Sequence, residues 1–190
     1  MKRTLIGIAV LAVVLVACNS ANDKTKTLQS DSLGIQQTTG KAASTGNASI
    51  TRIVTGYLQL KNGLLDDNGK DAANGSKAML DALQKFDTTA FTPEQKKVYT
   101  EVGDDIKEHS EHIAMNAEKI AHQREHFEML SKDIYDLVKA FPAEQTLYKD
   151  YCPMYNNGKG ATWISETKEI KNPYLGKKMP TCGEIKEEIK

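Results

Sequence analysis

The chain has 190 residues, 39% of them hydrophobic and only 6% aromatic, with 25 Lys and Arg set against 25 Asp and Glu. Binding to nucleic-acid phosphates needs a surplus of Lys and Arg, so the even balance excludes a nucleic-acid partner. The few aromatic residues argue against a deep, aromatic-lined cofactor pocket.

The chain opens with Met1, the cationic pair Lys2-Arg3 and an apolar run from Leu5 to Val16, followed by Ala17 and Cys18. That run is shorter than the roughly 20 apolar residues a membrane-spanning helix needs, and its order is that of a secretory signal. The tetrad Leu15-Val16-Ala17-Cys18 resembles the bacterial lipoprotein signal, in which cleavage precedes a cysteine acylated on sulfur. On this reading residues 1–17 are a signal peptide and Cys18 carries the lipid. The protein is then attached to a membrane of the cell envelope, at the outer membrane or periplasmic face. Loss of Lys2 and Arg3 leaves 23 basic against 25 acidic side chains, a net charge of −2.

Residues 18–48 are small and polar with almost no apolar periodicity, and such a segment buries too little surface to offset its ordering entropy. They read as a flexible tether. Residues 49–190 then form one domain of about 140 residues.

Helical spacing begins with Ile50, Ile53, Val54, Tyr57, Leu60 and Leu64, and Asp66-Asp67-Asn68-Gly69 ends it. A second stripe runs Ala72, Ser76, Met79, Leu83 and Phe86, and the small residues Ala73, Gly75 and Ser76 allow a neighbouring backbone to come close. Thr92-Pro93-Glu94-Gln95 is a helix start with a capping box, continued by Val98, Val102, Ile106 and Ile113 up to a break at Met115-Asn116. A fourth stripe, Ile120, Phe127, Leu130, Ile134, Leu137, Val138 and Phe141, stops at Pro142. Four amphipathic helices with short connections predict an all-α, antiparallel up-down four-helix bundle. The tail that follows is loop-rich. Leu147–Tyr151 and Ala161–Ile164 flank Asn156-Asn157-Gly158 and predict a small β-hairpin within it.

All four histidines, His109, His112, His122 and His126, fall within 18 consecutive residues. Each pair is spaced three or four apart, so its members share a helix face, and four-residue spacing lets two imidazoles reach one metal ion. The other reading of these residues is exposed polar surface among Glu and Lys. In the tail, Cys152-Pro153-Met154 and Met179-Pro180-Thr181-Cys182 set a methionine near each remaining cysteine. Thiolate with thioether is a soft ligand set, suited to Cu(I). The alternative is a Cys152–Cys182 disulfide, which would close a loop of about 31 residues and contribute roughly 3.5–4 kcal/mol in the chain-entropy model. No glycine-rich phosphate loop, nucleophile elbow or His-Glu-x-x-His is present, so the chain does not read as an enzyme. Arg124, between core positions, is expected to pair with a carboxylate rather than to bind an anionic substrate.

His122-Gln123-Arg124-Glu125-His126-Phe127 with Leu130-Ser131, then Cys152-Pro153-Met154, Trp163-Ile164-Ser165, Asn172-Pro173-Tyr174-Leu175-Gly176, Met179 and Thr181-Cys182-Gly183, resemble the family called domain of unknown function 3347. The resemblance spans about residues 50–190. Members of that family are often exported lipoproteins, and the domain is also found on adaptor subunits of heavy-metal efflux pumps. It therefore implies copper or a related metal as ligand, an efflux adaptor as partner, and His122, His126, Cys152, Met154, Met179 and Cys182 as candidate ligands. His109 and His112 join them on spacing. The expected function is a lipid-anchored copper-binding protein that buffers metal or delivers it to an efflux system. The alternative is a disulfide-stapled helical interaction module of a membrane complex without metal. If Cys18 is the anchor, Cys18→Ser releases the protein into the soluble fraction, because each buried acyl methylene contributes about 0.8 kcal/mol and the bare tether contributes none. A variant that still sediments with membranes and is still processed would refute the anchor.

Overall fold

The computed structural model of the protein describes residues 39–141 and 144–190, with side chains from residue 50 onward. The residues read as a signal peptide, Cys18 read as its lipidated cysteine, and most of the segment read as a tether lie outside the described residues. Four long helices come first: α1 (Thr39–Leu65), α2 (Gly69–Gln84), α3 (Pro93–Met115) and α4 (Ile120–Ala140). Among the described residues no helix is long and apolar enough to cross a membrane.

Helix α1 begins at Thr39, ahead of the stripe that starts at Ile50, so the end of the segment read as tether is helical. A nucleated helix adds residues at little further cost, and the Lys41-Ala42-Ala43-Ser44 stretch offers no proline to stop it. The stripe residues Ile50, Ile53, Val54, Tyr57, Leu60 and Leu64 are all buried. α1 ends where Asp67 takes the left-handed conformation (φ 53°). Asn68 caps α2 by accepting from the Lys70 and Asp71 N–H groups, both at 3.2 Å. α1 and α2 lie backbone to backbone. A Cβ on Gly63 would collide with the Ala72 backbone, and one on Gly75 with that of Leu60. Thr92 and Gln95 close the expected capping box at 3.1 and 3.2 Å with Pro93 in the first turn of α3.

Helices adjacent in sequence pack on one another, and α1 also touches α4. Phe127, Leu130, Ile134, Leu137 and Val138 of α4 face Val102, Ile106 and Ile113 of α3 in one core with the α1 stripe. One end is closed by Phe86, Phe91, Tyr99 and Phe141, with ring centroids 4.8–6.4 Å apart.

The tail corrects the all-α expectation. It forms a three-stranded antiparallel sheet, β1 (Leu147–Cys152), β2 (Ala161–Ser165) and β3 (Glu184–Ile189), in the order β2-β1-β3. β1 and β2 make the expected hairpin, turned by Asn156 and Asn157, both left-handed (φ 53° and 56°). β3 was not foreseen. Its Glu-Ile-Lys-Glu-Glu-Ile carries apolar residues four apart rather than alternating, and it lies at the sheet edge with Ile189 alone buried.

β2 lies on α4, with Trp163 and Ile164 in the core. The Ile164 N–H donates to the Tyr57 hydroxyl at 3.0 Å, and that hydroxyl is also hydrogen-bonded to Ser131 Oγ at 2.8 Å. Lys61, fully buried, is paired with Glu166, which also accepts from Asn62 at 3.3 Å. Asp150 on β1, opposite Trp163, is fully buried, and among the described residues neither carboxylate oxygen has a hydrogen-bond partner. Burial raises its pKa to about 7, with Lys61 opposing and Glu166 adding to the rise. Because the folded value exceeds the unfolded one, this group's effect on stability is most favourable below the unfolded value. That advantage is lost as pH climbs towards 7. Asp150→Asn should therefore remove about 1–3 kcal/mol of the stability loss between pH 5 and pH 8 in urea titrations. An equal loss in wild type and variant would show that Asp150 does not ionise in this window.

Candidate metal centre

The centre is built on the turn that joins α3 to α4. The last carbonyls of a helix lack partners within it. Here Asn116 Nδ2 donates to the His112 carbonyl at 2.8 Å, and Gln123 Nε2 donates to the Ile113 carbonyl at 3.0 Å. Gln123 is fully buried, and the same nitrogen also donates to the Gly69 carbonyl of α2 at 2.9 Å. One amide thereby fixes α3, α4 and the start of α2 relative to each other. Arg124 adds a clasp: it donates to Asp67 at 2.5 Å, to the Leu64 carbonyl at 2.8 Å and to the Pro173 carbonyl at 2.8 Å. It pairs with a carboxylate, as expected.

The histidines flank this turn, and all four rings meet. His112 of α3 and His126 of α4 stack with centroids 4.3 Å apart and planes 9° apart. His122 stands edge-on to both, 4.6 Å from His126 and 6.1 Å from His112. His109 Nδ1 lies 3.2 Å from His126 Nδ1, and His122 Nδ1 donates to Glu125 Oε2 at 3.1 Å. One nitrogen from each of His112, His122 and His126 lies within 4.8 Å of the others, and all three residues are half-buried. Burial lowers the pKa of His109 and His126. At His126 the neighbouring imidazoles His112, His122 and His109 lower it further. A lowered pKa keeps these rings neutral at neutral pH, the state in which an imidazole has a lone pair to give. Three imidazoles with no thiolate among them suit Cu(II), Zn(II) or Ni(II) better than a purely thiophilic ion.

The tail residues form a second group. Cys152 of β1 is buried, Cys182 just before β3 is half-buried, and their free thiols lie 3.3 Å apart. The Cys152 thiol, through the contact itself, raises the pKa of Cys182. Asn172 holds this segment, donating to the Cys182 carbonyl at 2.6 Å while its Oδ1 accepts from the Tyr174 and Leu175 N–H groups. Met154 is 57% exposed. Met179 is half-buried, and its carbonyl accepts from the Cys182 N–H at 3.3 Å. Of the eight candidate ligands, the structure brings the four histidines together on the helices and Cys152 with Cys182 on the tail, and among the described residues no contact joins Met154 or Met179 to the two thiols through its sulfur.

Gln123 and Glu125 received no role from the sequence, and Asn116 only that of a helix break, which it fills as the C-cap of α3. Gln123 was detectable. It continues the spacing Ile120, Gln123, Phe127, Leu130, Ile134, so a polar side chain occupies a core position and must bond to something buried. Gln123→Leu leaves the Ile113 and Gly69 carbonyls without this donor and should cost about 1–3 kcal/mol in urea unfolding. A variant as stable as wild type would remove Gln123 from this role.

The chain matches no curated protein and no solved structure. The four histidines lie inside the segment that a family model matches, whereas the tail cysteines and methionines lie beyond it. Residues 53–146, just under half of the chain, match the family described as "Protein of unknown function (DUF3347)", which supports the resemblance carried by the His122–Ser131 motif.

Proposed function

We propose that the protein is a copper-binding domain of the cell envelope that buffers metal or hands it to an efflux system. The observation that carries this reading is the convergence of His112, His122 and His126, whose nitrogens lie within 4.8 Å of one another. His109 stands beside them, hydrogen-bonded to His126. In this reading the four helices make an antiparallel up-down bundle with the ligands at its α3–α4 end, and Cys18 carries the lipid that ties the domain to the membrane. Copper is favoured over zinc because the chain offers two donor sets of different softness. Imidazoles suit Cu(II), whereas Cys152 and Cys182 with Met154 and Met179 suit Cu(I). An efflux adaptor is the partner suggested by the family resemblance.

The second reading, a disulfide-stapled interaction module without metal, is favoured by the 3.3 Å approach of the two sulfurs. Cu(II) titration of the full-length protein separates the two. The triple variant His112→Gln, His122→Gln, His126→Gln should bind at least about 100-fold more weakly, with its circular dichroism unchanged. Equal affinity in wild type and variant would reject the histidine site. For the tail, Met154→Leu with Met179→Leu should weaken Cu(I) binding under reducing conditions. A wild-type protein that binds no Cu(I) when reduced would reject the tail site.

A further inference from the structure

The four histidines are not equivalent, and their hydrogen bonds sort them. A neutral imidazole that donates from Nδ1 carries its lone pair on Nε2 and can ligate only through that atom. His122 donates from Nδ1 to Glu125 at 3.1 Å, so its Nε2 is the free donor. His126 and His109 meet through their Nδ1 atoms at 3.2 Å, so one ring donates and the other accepts. His126 belongs to the converging triad, and its Nε2 is available only if it is the donor in that bond. His109 is then the acceptor, and its Nδ1 lone pair is occupied by the His126 proton. His112 differs again. Among the described residues its ring makes no hydrogen bond, and it is held by stacking on His126 with planes 9° apart. In-plane lone pairs of two parallel rings do not converge on one point, so one of the two rings must turn to share an ion. The His109 bond restrains His126, and His112 is the ring left free.

We propose that the centre is a three-imidazole site, His112, His122 and His126, in which His109 and Glu125 are positioning residues and the fourth coordination position is left to an exogenous ligand. This rests on the metal-binding reading and narrows it. Partners of this kind fix the tautomer and ring angle of a ligating histidine, and their loss typically weakens metal binding about 10–100-fold. Three protein ligands with an open position make a site that exchanges ligands, whereas four protein ligands make a closed structural one. The external ligand is a single small donor, water at rest or an imidazole or thioether side chain of an acceptor protein.

Pulsed EPR of the Cu(II)-loaded full-length protein counts the coupled imidazoles. Three are expected in wild type, three in His109→Gln with affinity reduced about 10–100-fold, and two in His112→Gln. Glu125→Ala should weaken binding without changing the count, and Glu125→Gln, which keeps an acceptor oxygen, should recover part of the loss. Added free imidazole should bring the wild-type count to four. Four imidazoles in the wild type without addition, or a lower count in His109→Gln, would overturn the assignment of His109 while leaving the metal-binding reading intact. A protein that takes up no Cu(II) overturns both.

Discussion

Lys61 carries a charge into the interior, and a buried ammonium is tolerated only beside a counter-charge. Glu166 supplies it from the end of β2, so the pair fixes where the tail meets α1. One turn earlier on α1, Tyr57 receives the Ile164 N–H and bonds Ser131 of α4, so a single hydroxyl joins α1, α4 and β2. Once β2 is held there, β1 pairs with it and β3 pairs with β1, and the meeting of Cys152 with Cys182 follows from that sheet. Removing Glu166 would strand the Lys61 charge in the core, which costs more than the pair itself contributes.

The two candidate groups differ in how the fold holds them. The histidines come from two helices whose spacing is set by the buried Gln123 amide, and their rings are half-exposed. The thiols come from a strand and from a loop held mainly by Asn172. Side chains on packed helices keep their spacing with nothing bound between them. The sulfur pair depends on the docking of β3, an edge strand with one buried residue. Arg124 links the two regions, since it bonds the end of α1 and the tail carbonyl of Pro173 from a position between His122 and His126.

The helices were legible because each carries an apolar stripe at helical spacing and a local start or stop signal such as Thr92-Pro93 or Asn68. The β1–β2 hairpin was legible from Asn156-Asn157-Gly158, residues that accept left-handed conformations. β3 was not, because an exposed edge strand needs no apolar alternation. The histidine grouping could be read from spacing, whereas the roles of His109 and Glu125 depend on which ring nitrogen faces which neighbour, and spacing does not encode that. The Lys61–Glu166 pair was hidden for a different reason: its partners are 105 positions apart, and a lysine on a helix reads as surface.

That separation bears on the order in which the protein assembles. The rings of His109 and His126 meet across 17 positions, so the α3–α4 hairpin closes a short loop and can form early. Tyr57 and Lys61 wait for residues 107 and 105 positions further on. In a chain emerging N-terminus first, α1 precedes the other described helices, and its Tyr57 can meet Ser131 of α4, 74 positions on, before Ile164 and Glu166 arrive. Until β2 arrives, Lys61 lacks the Glu166 counter-charge and the Tyr57 hydroxyl lacks the Ile164 N–H, so burying that face of α1 early would cost the desolvation of an unpaired ammonium.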